Sequence, residues 1–266
     1  MPAAAPAKFG DRRLRKDDRT GEVPVCEHEG RTVTSRRTLN AAKPSDPLVD
    51  RLFDRSWYCS RYPDVAAARV DPRQHYLEQG AAEGRQPNPL FDGVWYRRRN
   101  PDVAAAGADP LTHFAHFGAQ EARAPHPLFD PEWYRRQTPD AGGTVAEQLL
   151  HFLEQGGSAG LSPHPLFDSR WYLNRYPDVA ASGQNPLVHY LLHGPEEDRR
   201  PHPLFDLQWY RRQLNDAGIP PAGDLLRHYV ERGATLGFSP HPLFDAHWYL
   251  RRYRPDFLCL QETKCP

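Results

Sequence analysis

The chain has 266 residues, with 34 Lys/Arg against 34 Asp/Glu, 39% hydrophobic residues, 28 prolines and 19 glycines. Balanced charge creates no overall field to draw the chain to nucleic acid or an anionic membrane, and no apolar run reaches the roughly 18 residues that a membrane span needs. Proline and glycine at this density interrupt helices repeatedly, so many short elements are expected rather than one or two large cores.

Residues 1–45 carry ten Lys/Arg against six Asp/Glu and a single aromatic residue, Phe9. Such a segment cannot bury enough apolar surface to offset the ordering of its backbone, and it reads as a disordered basic tail. The start Met1-Pro-Ala-Ala-Ala-Pro-Ala-Lys8 lacks the apolar stretch of a secretory signal, which makes the expected compartment cytoplasmic. Cys26, Cys59, Cys259 and Cys265 form no Cys-x-x-Cys pair, so neither a zinc site nor a disulfide framework is indicated.

From residue 46 the sequence repeats. Trp57, Trp95, Trp133, Trp171, Trp209 and Trp248 each open a Trp-Tyr pair, at spacings of 38, 38, 38, 38 and 39 residues. Phe-Asp precedes each pair, from Phe53-Asp54 to Phe244-Asp245. Central histidines recur at His75, His113, His151, His189 and His228, each followed five residues later by Gly80, Gly118, Gly156, Gly194 or Gly233. Five full units and the start of a sixth therefore occupy residues 46–253.

The fourth unit, His164 to Arg200, shows the local logic. Asp168 is placed to cap a helix over 169–176, with Phe167 packing on Tyr172 as a staple. Pro177 starts a second helical turn, which Gly183 closes. Asn185 caps a third helix, with Pro186 at its first position and Leu187, Tyr190 and Leu191 forming an apolar stripe that runs to Gly194. Helices this short are unstable alone and must dock. The expected fold is all-α, a solenoid-like array of short-helix repeats in which neighbours zip together through Trp-Tyr, Phe and Leu, with the six tryptophans as the repeat core. Burying one Trp-Tyr pair would contribute several kcal/mol, at about 25 cal/mol per Å².

The central histidines recur once per repeat, and packed helices lie roughly 10 Å apart, too far for the imidazoles to converge on one metal ion. They are expected to be structural, bonding a backbone or cap group between repeats, as are His126, His164, His202 and His241 in the connecting loops. Asp64, Asp102, Asp140 and Asp178, each after a proline, suit the positive end of a helix dipole. No pair of acids stands at glycosidase spacing. The catalytic and cofactor-binding sets read as empty.

The string Pro165-Leu-Phe-Asp-Ser-Arg-Trp-Tyr-Leu-Asn-Arg-Tyr-Pro-Asp-Val-Ala-Ala181, continued by Asn185-Pro-Leu-Val-His-Tyr-Leu-Leu-His-Gly194, resembles repeats found beside bacterial glycosyltransferase domains. The resemblance implies a non-catalytic binding or scaffold module with a protein or glycan partner. The chain has no Asp-x-Asp motif and no Gly-rich nucleotide loop, so glycosyl transfer itself is not assigned to it.

Residues 254–266 break the pattern. Pro255-Asp-Phe-Leu-Cys-Leu-Gln-Glu-Thr-Lys264 reads as a buried strand with an acid at its end, and it resembles the short signature of the exonuclease III class of apurinic/apyrimidinic endonucleases. That resemblance implies a magnesium-dependent DNA repair nuclease with Glu262 as a metal ligand, joined to the repeats by fusion, truncation or a frame error. It is the alternative reading, and the one under which nucleic acid would be the partner. One carboxylate cannot both hold magnesium and activate a nucleophile, so cleavage is not expected of this chain.

Overall fold

A computed structural model describes residues 46–139, 143–221 and 223–246. Those residues are all-helical, with fourteen short α-helices and no strand among them. None of these helices is long and apolar enough to cross a membrane. The basic tail, Trp248, the strand expected over 256–261 and Glu262 lie outside the described residues.

The units follow one plan. Helix α1 (Pro47–Leu52) leads into α2 (Arg55–Arg61), α3 (Pro63–Ala68) and α4 (Pro72–His75), and a π-helical turn Tyr76–Gly80 completes the first unit. The second has α5 (Gly93–Arg99), α6 (Pro101–Ala105), α7 (Pro110–His113) and the turn Phe114–Gly118. The third has α8 (Pro131–Gln137), α9 (Val145–His151) and the turn Phe152–Gly156. The fourth has α10 (Ser169–Arg175), α11 (Pro177–Ser182) and α12 (Pro186–His193), and the fifth α13 (Leu207–Asp216), α14 (Leu225–His228) and the turn Tyr229–Gly233.

Local chemistry sets these boundaries. Asp54, Asp92, Asp130, Asp168 and Asp206 each accept the backbone N–H of the unit's tryptophan at 2.9 Å, satisfying a donor that the first turn leaves open. The same aspartates donate their own backbone N–H to a proline carbonyl roughly one unit length later, Asp54 to Pro87, Asp92 to Pro125, Asp130 to Pro163, Asp168 to Pro201 and Asp206 to Pro240, at 2.8–3.1 Å. Each unit is thus tied from its beginning to its end. Gly183 closes α11 with φ 69°, a left-handed conformation that L side chains rarely adopt.

Each unit carries its own aromatic cluster. Phe91, Tyr96 and Phe114 stack with centroids 5.4–5.9 Å apart, as do Phe129, Tyr134 and Phe152 at 5.4–5.8 Å. Among the described residues the ring–ring contacts fall within units, while the buried rings and aliphatic side chains of all five units belong to one continuous hydrophobic cluster. The tyrosine of each pair is the deeper partner. Tyr58, Tyr96, Tyr134, Tyr172 and Tyr210 are at most 1% exposed, whereas Trp57, Trp95, Trp133, Trp171 and Trp209 are half-buried.

Polar groups also join the units. Asn185, the cap of α12, donates from Nδ2 to the Phe152 carbonyl of the preceding unit at 2.8 Å, and the Tyr190 hydroxyl donates to Asp224 of the following one at 2.8 Å. Contacts also reach past the neighbour. Helix α1 packs on α7 and α9, and Arg227 of the fifth unit bonds Asp92 of the second at 2.6 Å. In an open solenoid each repeat would touch only its neighbours. Here the Arg227–Asp92 bond joins a unit to the third one along.

Candidate functional site

The recurring histidines come first, because one stands in every unit. Each central imidazole faces the buried tyrosine of its own unit through Nδ1. The distances are 3.0 Å for Tyr58–His75, 3.1 Å for Tyr96–His113, 2.6 Å for Tyr134–His151, 3.1 Å for Tyr172–His189 and 2.6 Å for Tyr210–His228. The expected partner is a backbone or cap group between repeats; the structure supplies a phenol from within the repeat. Burial pushes the Tyr58 phenol up to about 12 and the other four higher, so the ring oxygen keeps its proton. Burial likewise holds His189 and His228 below their ordinary value. A protonated phenol facing a neutral ring donates to Nδ1 and leaves the imidazole proton on Nε2.

The repeated glycine completes this group. A Cβ built on Gly80, Gly118, Gly156 or Gly233 would lie 2.0–2.2 Å from the hydroxyl oxygen of that same tyrosine. The glycine therefore gives the phenol room, a role that its position at a helix end does not announce.

The recurring carboxylates are also engaged. Arg85, Arg123 and Arg199 pair with Asp64, Asp102 and Asp178 at 2.8 Å each, and these bonds hold all three aspartates below their ordinary range. Arg85 and Arg199 also lie over the rings of Tyr62 and Tyr176, 4.9 Å from each centroid. The helix dipole explains the position of these acids, and the arginine adds a partner that the sequence pattern does not disclose. In the third unit Thr138 and Leu161 stand where the fourth has Tyr176 and Arg199, and in the fifth Leu214 and Phe238 do, while the second keeps the guanidinium as Arg123 and replaces the ring with Asn100, whose Oδ1 accepts from Arg123 at 3.2 Å. Among the described residues no group of three His, Cys, Asp or Glu side chains is placed to hold a metal ion.

The loop histidines behave differently. Nδ1 of His126, His164, His202 and His241 accepts the backbone N–H two residues on, at 3.0–3.2 Å. Asn88 fills this place in the second unit, its Oδ1 accepting from Leu90 at 2.9 Å. His126 and His164 line a cleft of about 730 Å³ where the second, third and fifth units meet the loop that opens the fourth. At its edge Arg227 reaches Asp92 at 2.6 Å and Glu231 at 2.8 Å, while Arg98 takes the other oxygen of Glu231 at 2.8 Å. Burial alone would raise Asp92, but the Trp95 backbone N–H and the Arg227 guanidinium outweigh it and hold the carboxyl low. Burial, reinforced by Arg227, holds His126 well below its ordinary value, and burial holds His164 at about 4. Both rings are neutral at pH 7. This cleft unites residues from units far apart in sequence, and nothing in the repeat pattern points to it.

Comparison with models of known protein families, with curated proteins and with solved structures finds no match.

Proposed function

We propose that the chain is a non-catalytic binding or scaffold module, a wound array of helical repeats that works beside glycosyltransferase machinery and presents its inter-unit surface to a protein or glycan partner. The observation that carries this reading is the engagement of the repeated polar side chains. Each central histidine is held by its unit's tyrosine, and Asp64, Asp102 and Asp178 by arginines. Groups held in this way serve the architecture, and the variable residues between units are left for recognition. The link to glycosyltransferases rests on the sequence resemblance alone.

The full chain should leave a nucleotide sugar with acceptor, and abasic DNA with magnesium, unchanged. Glycosyl transfer would overturn the reading. Magnesium-dependent DNA cleavage that vanishes in Glu262→Ala would replace it with the exonuclease III-like alternative carried by Pro255 to Lys264.

A further inference from the structure

The cleft between the second, third and fifth units carries a set of donors that the fold does not use. His126 is 2% exposed and lines the cleft. Its Nδ1 is taken by the Leu128 backbone N–H, so its proton sits on Nε2, and that N–H has no partner among the described residues. His164 lines the same cleft with its Nδ1 likewise taken by Leu166. Arg99 and Arg232 are on the wall, and neither pairs with a carboxylate among the described residues. Glu231, also on the wall, has both oxygens occupied by Arg98 and Arg227. The half-buried indole of Trp95 forms one side.

These groups define their ligand. Two guanidinium groups unpaired among the described residues and two imidazole N–H donors call for an anion with several acceptor oxygens. An indole face calls for a flat apolar surface on the same molecule. Asp130, whose Oδ1 caps α8, leaves Oδ2 to accept a hydroxyl proton, which a polyhydroxylated ligand supplies. A cleft of about 730 Å³ lies within the usual size range of small-ligand sites. We propose that this cleft binds a carboxylated saccharide, a uronic acid residue placing its carboxylate among Arg99, Arg232 and the His126 N–H and its ring face on Trp95. The inference deepens the reading of the chain as a binding module and names the chemistry of its glycan.

Titration calorimetry of the full chain tests it, with an oligomer of galacturonic acid, the matching neutral galactose oligomer, and inorganic phosphate as probes. The acidic oligomer should bind at least tenfold more tightly than either of the others. Arg99→Gln with Arg232→Gln should weaken it tenfold or more. His126→Asn should weaken it severalfold while the helical circular dichroism is kept, because Asn88 already makes the same turn in the second unit. Equal binding of the neutral oligomer, equal binding of phosphate, unchanged affinity in the arginine double variant, or no binding of the acidic oligomer would each overturn the assignment. None of these results would restore catalysis to the chain, so the cleft assignment fails separately from the module reading, which falls only to turnover.

Discussion

The fourth unit differs from the other four at one turn. In the first, second, third and fifth, the chain after the central histidine winds into a π-helical turn, with Ala81, Ala119, Gly157 and Ala234 donating to the carbonyl five residues back. In the fourth, α12 stays α-helical and the Tyr190 carbonyl accepts from Gly194, four residues on. The cause is one hydrogen. Pro195 stands where the others have alanine or glycine, and it has no N–H to make the longer bond. The geometry around the glycine changes with it, since a Cβ on Gly194 would first meet the Tyr190 ring at 2.4 Å and not the phenol of the preceding helix. A wide turn repeated in four units is therefore set by a donor present in each of them, and one imino acid removes it.

What the two kinds of unit share should dominate their stability. Tyr96→Ala and Tyr172→Ala should each cost about 3–5 kcal/mol in chemical denaturation, as large-to-small changes at buried aromatics do. Trp95→Ala and Trp171→Ala should cost less in the same assay, because the indoles are half-buried. Equal losses from both residues of a pair would show that burial depth does not rank them.

The glycines separate the two kinds. Gly118→Ala should destabilise by about 1–3 kcal/mol through overpacking, and Tyr96→Phe, by removing the oxygen 2.0 Å from the new methyl, should recover part of that loss in a double-mutant cycle. Gly194→Ala should also destabilise, but Tyr172→Phe should not rescue it. Rescue in both units, or in neither, would erase the distinction.

The loop histidines give a pH test. An unfolded histidine takes up a proton near pH 6.5, whereas folded His126 and His164 stay neutral well below that pH, His164 to about 4. As the pH falls from 6.5, the unfolded state binds protons that the folded state does not, so stability is lost on acidification and is fully present above 6.5. The melting temperature should drop between pH 7 and pH 4.5, and His126→Asn should reduce that drop by on the order of 1–2 kcal/mol of unfolding free energy. An unchanged pH dependence in the variant would show that the ring is not held neutral.

The smallest effect is expected from Pro195→Ala. Restoring the N–H should convert the turn after His189 to the π form at a stability change of about 1 kcal/mol or less, and the amide gained at that position should be protected from hydrogen exchange. Rapid exchange there would mean that proline does not cause the difference.

The elements legible in the sequence are those governed by neighbours along the chain. Asp168, Phe167, Pro177, Gly183 and Asn185 fall where capping and proline chemistry place them, and α10 ends one residue short of the expected 176. The Tyr–His bond escapes such rules because it joins two helices whose docking angle no local rule gives. Its signal is nonetheless present in the sequence, a separation of 17 residues in four units and 18 in the fifth. The π turns depend on a single amide, which hydrophobic periodicity does not register. The cleft around His126 depends on contacts between units far apart in sequence, such as Arg227 with Asp92, and is invisible to any one repeat.

The backbone tie from each capping aspartate to a proline carbonyl has a consequence for biosynthesis. A unit can close its ring cluster and its tie as soon as its own stretch of chain has left the ribosome, and such local closure favours rapid, sequential folding. The Arg227–Asp92 bond, spanning 135 residues, must wait for the fifth unit to emerge. The nascent chain would thus acquire finished beads in order, and coil them upon one another last.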